Sequence, residues 1–232
     1  MTSKERVCIR RKWQHWLHEI GDDLGWLLTS HDVFMAVQEA FRENKNIQRP
    51  TLVYRWIKSN YAARISIGIR RLIDHDKRTI SLHRLIQDIS DHPDAITRQY
   101  FVGKCTLGSR REERPDKADL ANCDYDRFAK KGSKMVSKRK LSRDLSRLKQ
   151  DTGRIKTFVD KWIAHHDADQ RRFGVPVFTH VGEALQDIDE IYCEYALLLT
   201  GAGMTSQKPV LQYDWKKPLR YPWIGTGDQG GQ

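Results

Sequence analysis

What this sequence lacks removes several classes of protein before any residue is assigned a role. Its four cysteines, Cys8, Cys105, Cys123 and Cys193, are scattered through 232 residues. None forms the short pair that a zinc ribbon or a dithiol redox site requires, so they read as isolated, reduced thiols. No stretch approaches the roughly 18 uninterrupted apolar residues of a membrane-spanning helix, and the opening MTSKERVCIRRKWQHW has no apolar signal core. The expectation is a cytoplasmic protein with no membrane partner. There is no repeat of fixed period, no phosphate-cradling lysine loop, no dinucleotide glycine pattern and no zinc-hydrolase motif, so neither a cofactor nor a metal is expected. Carboxylates are also in deficit: 30 Asp and Glu stand against 41 Lys and Arg, a formal net charge of +11. Such a surplus favours an anionic partner and leaves RNA, DNA and an acidic protein all open.

What is present is helical spacing. Trp13, Leu17, Ile20, Leu24 and Leu27 recur three or four residues apart and predict a helix over 5–27, which Gly21 and Gly25 loosen. Val33, Phe34, Val37 and Phe41 predict a second, ending at the polar ENKN run. From Pro50 to Asp74 a third carries Trp56, Tyr61, Ile65, Ile69 and Leu72 on one broad apolar face. Ser81 caps a short helix through Ile89, and Asp94 opens another through Tyr100. The run TLGSRREERP has almost no apolar content and reads as a loop, the centre of an insertion near 103–119.

The longest pattern runs from Ser137 to His166. Leu141, Leu145, Leu148, Thr152, Ile155, Val159, Trp162 and His166 alternate at spacings of four and three, the mark of one continuous seam. A last helix is predicted over His180–Leu199, with Gly201 as its stop. The fold class is therefore all-α, an elongated antiparallel helical bundle over 1–203. An irregular tail over 204–232 carries prolines and aromatic residues that can pin it to the domain or to a partner.

One segment is chemically suggestive. VDKWIAHHDAD places Asp160, Lys161, His165, His166, Asp167 and Asp169 close together at the end of the long helix. With the all-helical pattern around it, this segment resembles the HEPN superfamily, and most nearly its abortive-infection-like branch. There a helix carries a motif of the form R-N/D-K-x-x-A-H-x-D. Asp160, Lys161, Ala164, His165 and Asp167 fall on it, and the position of the arginine is Val159. The resemblance implies a HEPN-like bundle, a homodimer that completes the site, and an RNA-directed protein. That protein acts as a metal-independent endoribonuclease in phage defence, or as a toxin component with an antitoxin partner. His165 is then the acid or base, Lys161 and Asp160 stand beside it, His166 and Asp167 support it, and Arg70 or Arg71 from a neighbouring helix supplies the missing positive charge.

The chemistry suits those residue types. Cleaving RNA without a metal requires a base for the 2'-hydroxyl, an acid for the departing 5'-oxygen and positive charge at the phosphorus, and histidine transfers protons near neutral pH. A histidine at a helix end also caps terminal carbonyls, so the residues alone leave both roles open. Ahead of the motif, Lys130 to Lys161 holds twelve basic residues against Asp144, Asp151 and Asp160, a local charge of +9. Lys138, Arg139, Lys140, Arg143, Arg147 and Arg154 are the candidate phosphate contacts on this track. The alternative is a noncatalytic dimeric helical scaffold, or a nucleic-acid- or protein-binding module, whose basic face is merely solvated or meets an acidic protein.

Overall fold

The structure, a computed structural model, describes residues 1–43, 52–110, 113–158 and 178–220. Among these lie seven α-helices and no strand: α1 Ser3–Glu43, α2 Leu52–Leu72, α3 Leu82–Asp91, α4 Arg98–Cys105, α5 Arg114–Asp126, α6 Lys138–Phe158 and α7 Phe178–Thr200. The fold is all-α, 73% helical. Nearest to a sheet among the described residues is an isolated antiparallel bridge between Thr97 and Met135.

The first two predicted helices are one. Helix α1 runs unbroken for 41 residues, about 60 Å at the α-helical rise. Thr2 and Glu5 cap it reciprocally: the Thr2 N–H donates to Glu5 Oε2 at 2.7 Å and the Glu5 N–H to Thr2 Oγ1 at 3.3 Å. Gly21 and Gly25 do not interrupt it, because their use is steric. A Cβ on Gly21 would sit 2.3 Å from the Tyr192 hydroxyl and 3.0 Å from Gln207 Nε2, and one on Gly25 would sit 3.4 Å from the Gln207 carbonyl oxygen. The glycines form a trough that admits α7 and the chain beyond it.

Helices α2 and α7 both pack antiparallel to α1. Along α2, Arg71 pairs with Asp23, Tyr61 stacks on Phe34 at 3.8 Å and Tyr54 meets Phe41. Along α7, Leu199 accepts from Gln14, Tyr192 donates to the Leu17 carbonyl at 3.2 Å, and Gly182 lies against His31. Helix α3 packs against α1 and α6. Its Asp88 is buried and accepts from the fully buried Trp13 indole at 2.5 Å, with Lys12 at 2.7 Å neutralising it. Helix α3 starts as expected, with Ser81 Oγ accepting from the Arg84 N–H at 3.0 Å.

Three expectations need correction. Helix α4 begins at Arg98 rather than Asp94, because Thr97 Oγ1 accepts the Tyr100 N–H at 3.2 Å. Helix α5 lies partly within the segment read as an insertion and extends past it. Only Ala121 and Tyr125 of its thirteen residues are buried, so it shows almost no apolar period. It is sewn to α4 by Arg98, which donates to the Ser133 and Asn122 carbonyls and to Asp126, with Tyr125 donating to the Ile96 carbonyl at 2.8 Å. Thirdly, Trp56 is not part of the core face of α2. It is 65% exposed, while Tyr61, Ile65, Ile69 and Leu72 are buried.

Helix α7 ends as predicted, at Gly201 with φ +73, a backbone conformation natural to glycine. Among the described residues the tail beyond it is tied down by polar groups, and Tyr221 and Trp223 of its aromatics lie outside them. The Ser206 hydroxyl and the Gln207 N–H donate to Asp189, and Lys208 pairs with Asp32, whereas Tyr213 is 69% exposed.

Substituting alanine for the two kinds of helical glycine should have opposite effects. A Cβ added at Gly153 would meet nothing within 4 Å, so Gly153→Ala should stabilise by about 1 kcal/mol. Gly21→Ala should destabilise by about 1–3 kcal/mol despite the same propensity gain, because Tyr192 must move. Chemical denaturation midpoints of the two variants measure both.

Candidate nucleic-acid interface

Helix α6 divides its residues among three faces. Leu141, Leu148, Thr152 and Ile155 are buried and Leu145 is partly buried, so the described part of the predicted seam is core. Val159, Trp162 and His166 lie outside the described residues, as do Asp160, Lys161, His165 and Asp167.

A second face meets α7 through ions. Lys140 Nζ contacts both oxygens of the buried Asp144 at 2.7 Å and Glu194 Oε2 at 2.6 Å. Asp144 also accepts from the Tyr195 hydroxyl at 2.8 Å, and Arg127 approaches Glu194 at 3.7 Å. One turn further on, Arg147 bridges Asp187 and, at 2.6 Å, Glu190. Every group in this knot has an opposite charge or a hydroxyl beside it, as burial of ions demands. The hydrogen bonds from Arg147 hold the Glu190 carboxyl below the usual range, and those from Glu190 and Asp187 raise the Arg147 guanidinium. Burial, with Asp144 next to it, keeps the Tyr195 phenol protonated at every physiological pH.

The third face is exposed. Lys138, Arg139, Arg143 and Lys149 point to solvent and make no ion pair among the described residues. Six candidate phosphate contacts on α6 thus sort by role. Lys140 and Arg147 brace α7; Lys138, Arg139 and Arg143 stay available; Arg154 is on the helix, with its side chain outside the described residues. The i+4 spacing of Lys140 and Asp144 is visible in the sequence, but the α7 carboxylates that complete the engagement of Lys140 and Arg147 lie some 40 to 54 residues away and are not.

The two candidate charge donors on α2 are also engaged. Arg71 pairs with Asp23 on α1, and Arg70 lies 3.5 Å from Asp74 one turn on. Near the middle of α2, His31 Nδ1 and the Tyr61 hydroxyl are 2.6 Å apart between α1 and α2. Desolvation lowers the His31 pKa and raises that of Tyr61, so the pair is uncharged at neutral pH. A second histidine pair, His75 and His83, has ring centroids 3.8 Å apart at the start of α3. Burial first, then the charges of His75 and Arg84, push His83 down to about 4, with Asp74 opposing. Among the described residues no group of three or more His, Cys, Asp or Glu side chains is placed to hold a metal ion, and no helix is long and apolar enough to cross a membrane.

An all-α bundle whose long basic helix runs into DKWIAHHD has the features of the HEPN class. A family profile described as HEPN AbiU2 matches residues 10–217, and the chain belongs to this abortive-infection-related family. No curated protein and no solved structure matches the chain.

The division of α6 is measurable as stability. Lys140→Met strands the buried Asp144 and should cost about 3 kcal/mol, whereas Arg143→Gln should change stability by less than about 0.5 kcal/mol; urea unfolding separates the two. A pH scan tests the histidine pair. His83 has a folded pKa of about 4 against an ordinary 6.5, so its neutral form contributes stability fully above 6.5. That contribution is lost as the pH falls toward 4, where the unfolded chain takes up the proton first. The urea midpoint of the wild type should fall across this window more than that of His83→Gln.

Proposed function

We propose that this chain is an RNA-directed HEPN protein of phage defence that cleaves RNA without a metal, as a homodimer, with His165 as the acid or base. The observation that carries the reading is the solvent-facing line of Lys138, Arg139 and Arg143 on α6. These three cations stand apart from the α7 knot and lie on the helix that leads toward the motif. Together they form a phosphate-binding track that reads no base. Its charge is of the kind that steers a polyanion and fades with salt.

The reaction follows from the residue types. A base removes the 2'-hydroxyl proton, the freed oxygen attacks the adjacent phosphorus, and the 5'-oxygen leaves with a proton from an acid. The products are a 2',3'-cyclic phosphate end and a 5'-hydroxyl end. In this reading His165 of each protomer handles one of the two protons. Lys161 stabilises the charge that builds on the phosphoryl oxygens, less specifically than a planar guanidinium does. Asp160, His166 and Asp167 orient the site, and Arg70 or Arg71 supplies further positive charge. An antitoxin protein that covers the basic face would silence it.

Val159 favours a second reading, a noncatalytic dimeric scaffold that binds RNA or a protein without cutting. The two separate cleanly in one assay. The purified chain, incubated with labelled RNA in EDTA, should release cyclic-phosphate ends, and His165→Ala should slow this by about 100-fold or more. Val159→Arg should accelerate the wild-type reaction and leave the His165→Ala protein inert. RNA retained by the wild type with no cleavage, and none gained by Val159→Arg, would establish the scaffold.

A further inference from the structure

Helix α2 carries Arg55, Lys58, Arg64, Arg70 and Arg71 and not one carboxylate. On its outer side Trp56, Asn60, Arg64, Ile67 and Arg71 follow one another at spacings of four, four, three and four, which places them on one face. All five are exposed. Trp56 is 65% and Ile67 47% exposed, and across from Ile67 on α1 stands Trp26 at 67%. Two solvent-facing indoles on one side of a folded domain are unusual enough to require a partner.

Between Trp26 and the Arg64–Arg71 part of this stripe runs an open groove of about 490 Å³, and Trp56 stands beyond its lining, about two turns before Arg64. Gly68 forms part of its lining, because α1 and α2 approach so closely there that a Cβ would lie 2.3 Å from Leu27 Cδ2. The one carboxylate lining the groove, Asp23, is neutralised by Arg71. Arg64, in contrast, is exposed and makes no ion pair among the described residues. Ile67 and Trp56 are eleven residues apart, about 16 Å along the helix, so the two indoles bracket a span of several nucleotides.

We infer that this groove is a stacking platform for single-stranded RNA, separate from the α6 track, with Trp26 and Trp56 each taking a base and Arg64 the phosphate between them. The inference rests on the reading of the chain as RNA-directed. Charge selects the occupant: the one carboxylate of the groove is already paired with Arg71, so a second copy docked face to face would bring Arg64 no free carboxylate, whereas a nucleic acid brings the opposite sign along its whole length. The indoles select the single strand, since a base stacks on an aromatic ring only when its own stack is open.

The test measures binding of a fluorescent 12-nucleotide single-stranded RNA, its duplex form and polyglutamate to the full chain by anisotropy. Trp26→Ala and Trp56→Ala should each weaken single-strand binding about 5- to 100-fold and leave duplex and polyglutamate binding unchanged. Trp26→Phe and Trp56→Phe should recover most of the loss, and unfolding midpoints should match the wild type in all four. An Arg143→Gln control reports on the α6 track. Loss of binding in Arg143→Gln with none in the tryptophan variants overturns the groove and leaves the RNA-directed reading standing. No binding of any RNA by the wild type overturns both. Parallel loss of polyglutamate binding would make the groove a site for an acidic protein, and a change in oligomeric state with the tryptophan variants would make it a self-association face; either result overturns the inference.

Discussion

The ion knot at Lys140 is the constraint on which the arrangement of the basic helix depends. A lone ammonium between α6 and α7 would be costly to bury, and it is stable here because Glu194 and Asp144, the latter also accepting from the Tyr195 hydroxyl, neutralise it. Together with Arg147 about two turns away, it fixes the rotation of α6 about its own axis. That rotation decides which cations are turned inward and which remain in water. Leu141, Leu148 and Ile155 follow into the core on the adjacent face. Lys138, Arg139 and Arg143 are left outside because no carboxylate of α7 reaches them.

The charge surplus of the chain is therefore not a single property. Part of it is structural, cancelled locally by carboxylates of other helices, and contributes specificity of packing rather than attraction for a partner. Part of the remainder is displayed on two helices, α6 and α2. The first leads toward the segment that resembles the family motif; the second combines its cations with exposed indoles. Such a division explains how a strongly basic protein can hold a compact bundle without the self-repulsion that +11 would suggest.

Much of the bundle was legible in the sequence. The apolar periods of α1 and α6 predicted residues that are buried, Trp13 to Leu27 and Leu141, Leu148 and Ile155, because a long helix against a core repeats one signal many times. Where the signal is short or polar, it failed. Helix α5 buries two side chains and was hidden; Trp56 was grouped with the apolar stripe of α2, yet it stands five residues before Tyr61, an offset of about 140° that turns it to solvent. The tail advertises aromatic anchors, yet Asp189 and Asp32 hold it. Gly21 read as a weakness in α1, and only the position of Tyr192, 171 residues away, shows its purpose. For the candidate site the sequence supplied the sign of the charge and the family motif. Asp144, four residues after Lys140, was within its reach, but the α7 partners of Lys140 and Arg147 were not, since ion pairs between distant helices leave no periodic trace.

The central claim, that the outward cations of α6 and not the inward ones meet RNA phosphates, is tested most directly by the salt dependence of binding. A plot of log K against log salt for single-stranded RNA has a slope of about −0.7 for each phosphate neutralised. Replacing Lys138, Arg139 and Arg143 together by glutamine should flatten that slope by about 2 with the unfolding midpoint unchanged. A slope identical to that of the wild type would contradict the account.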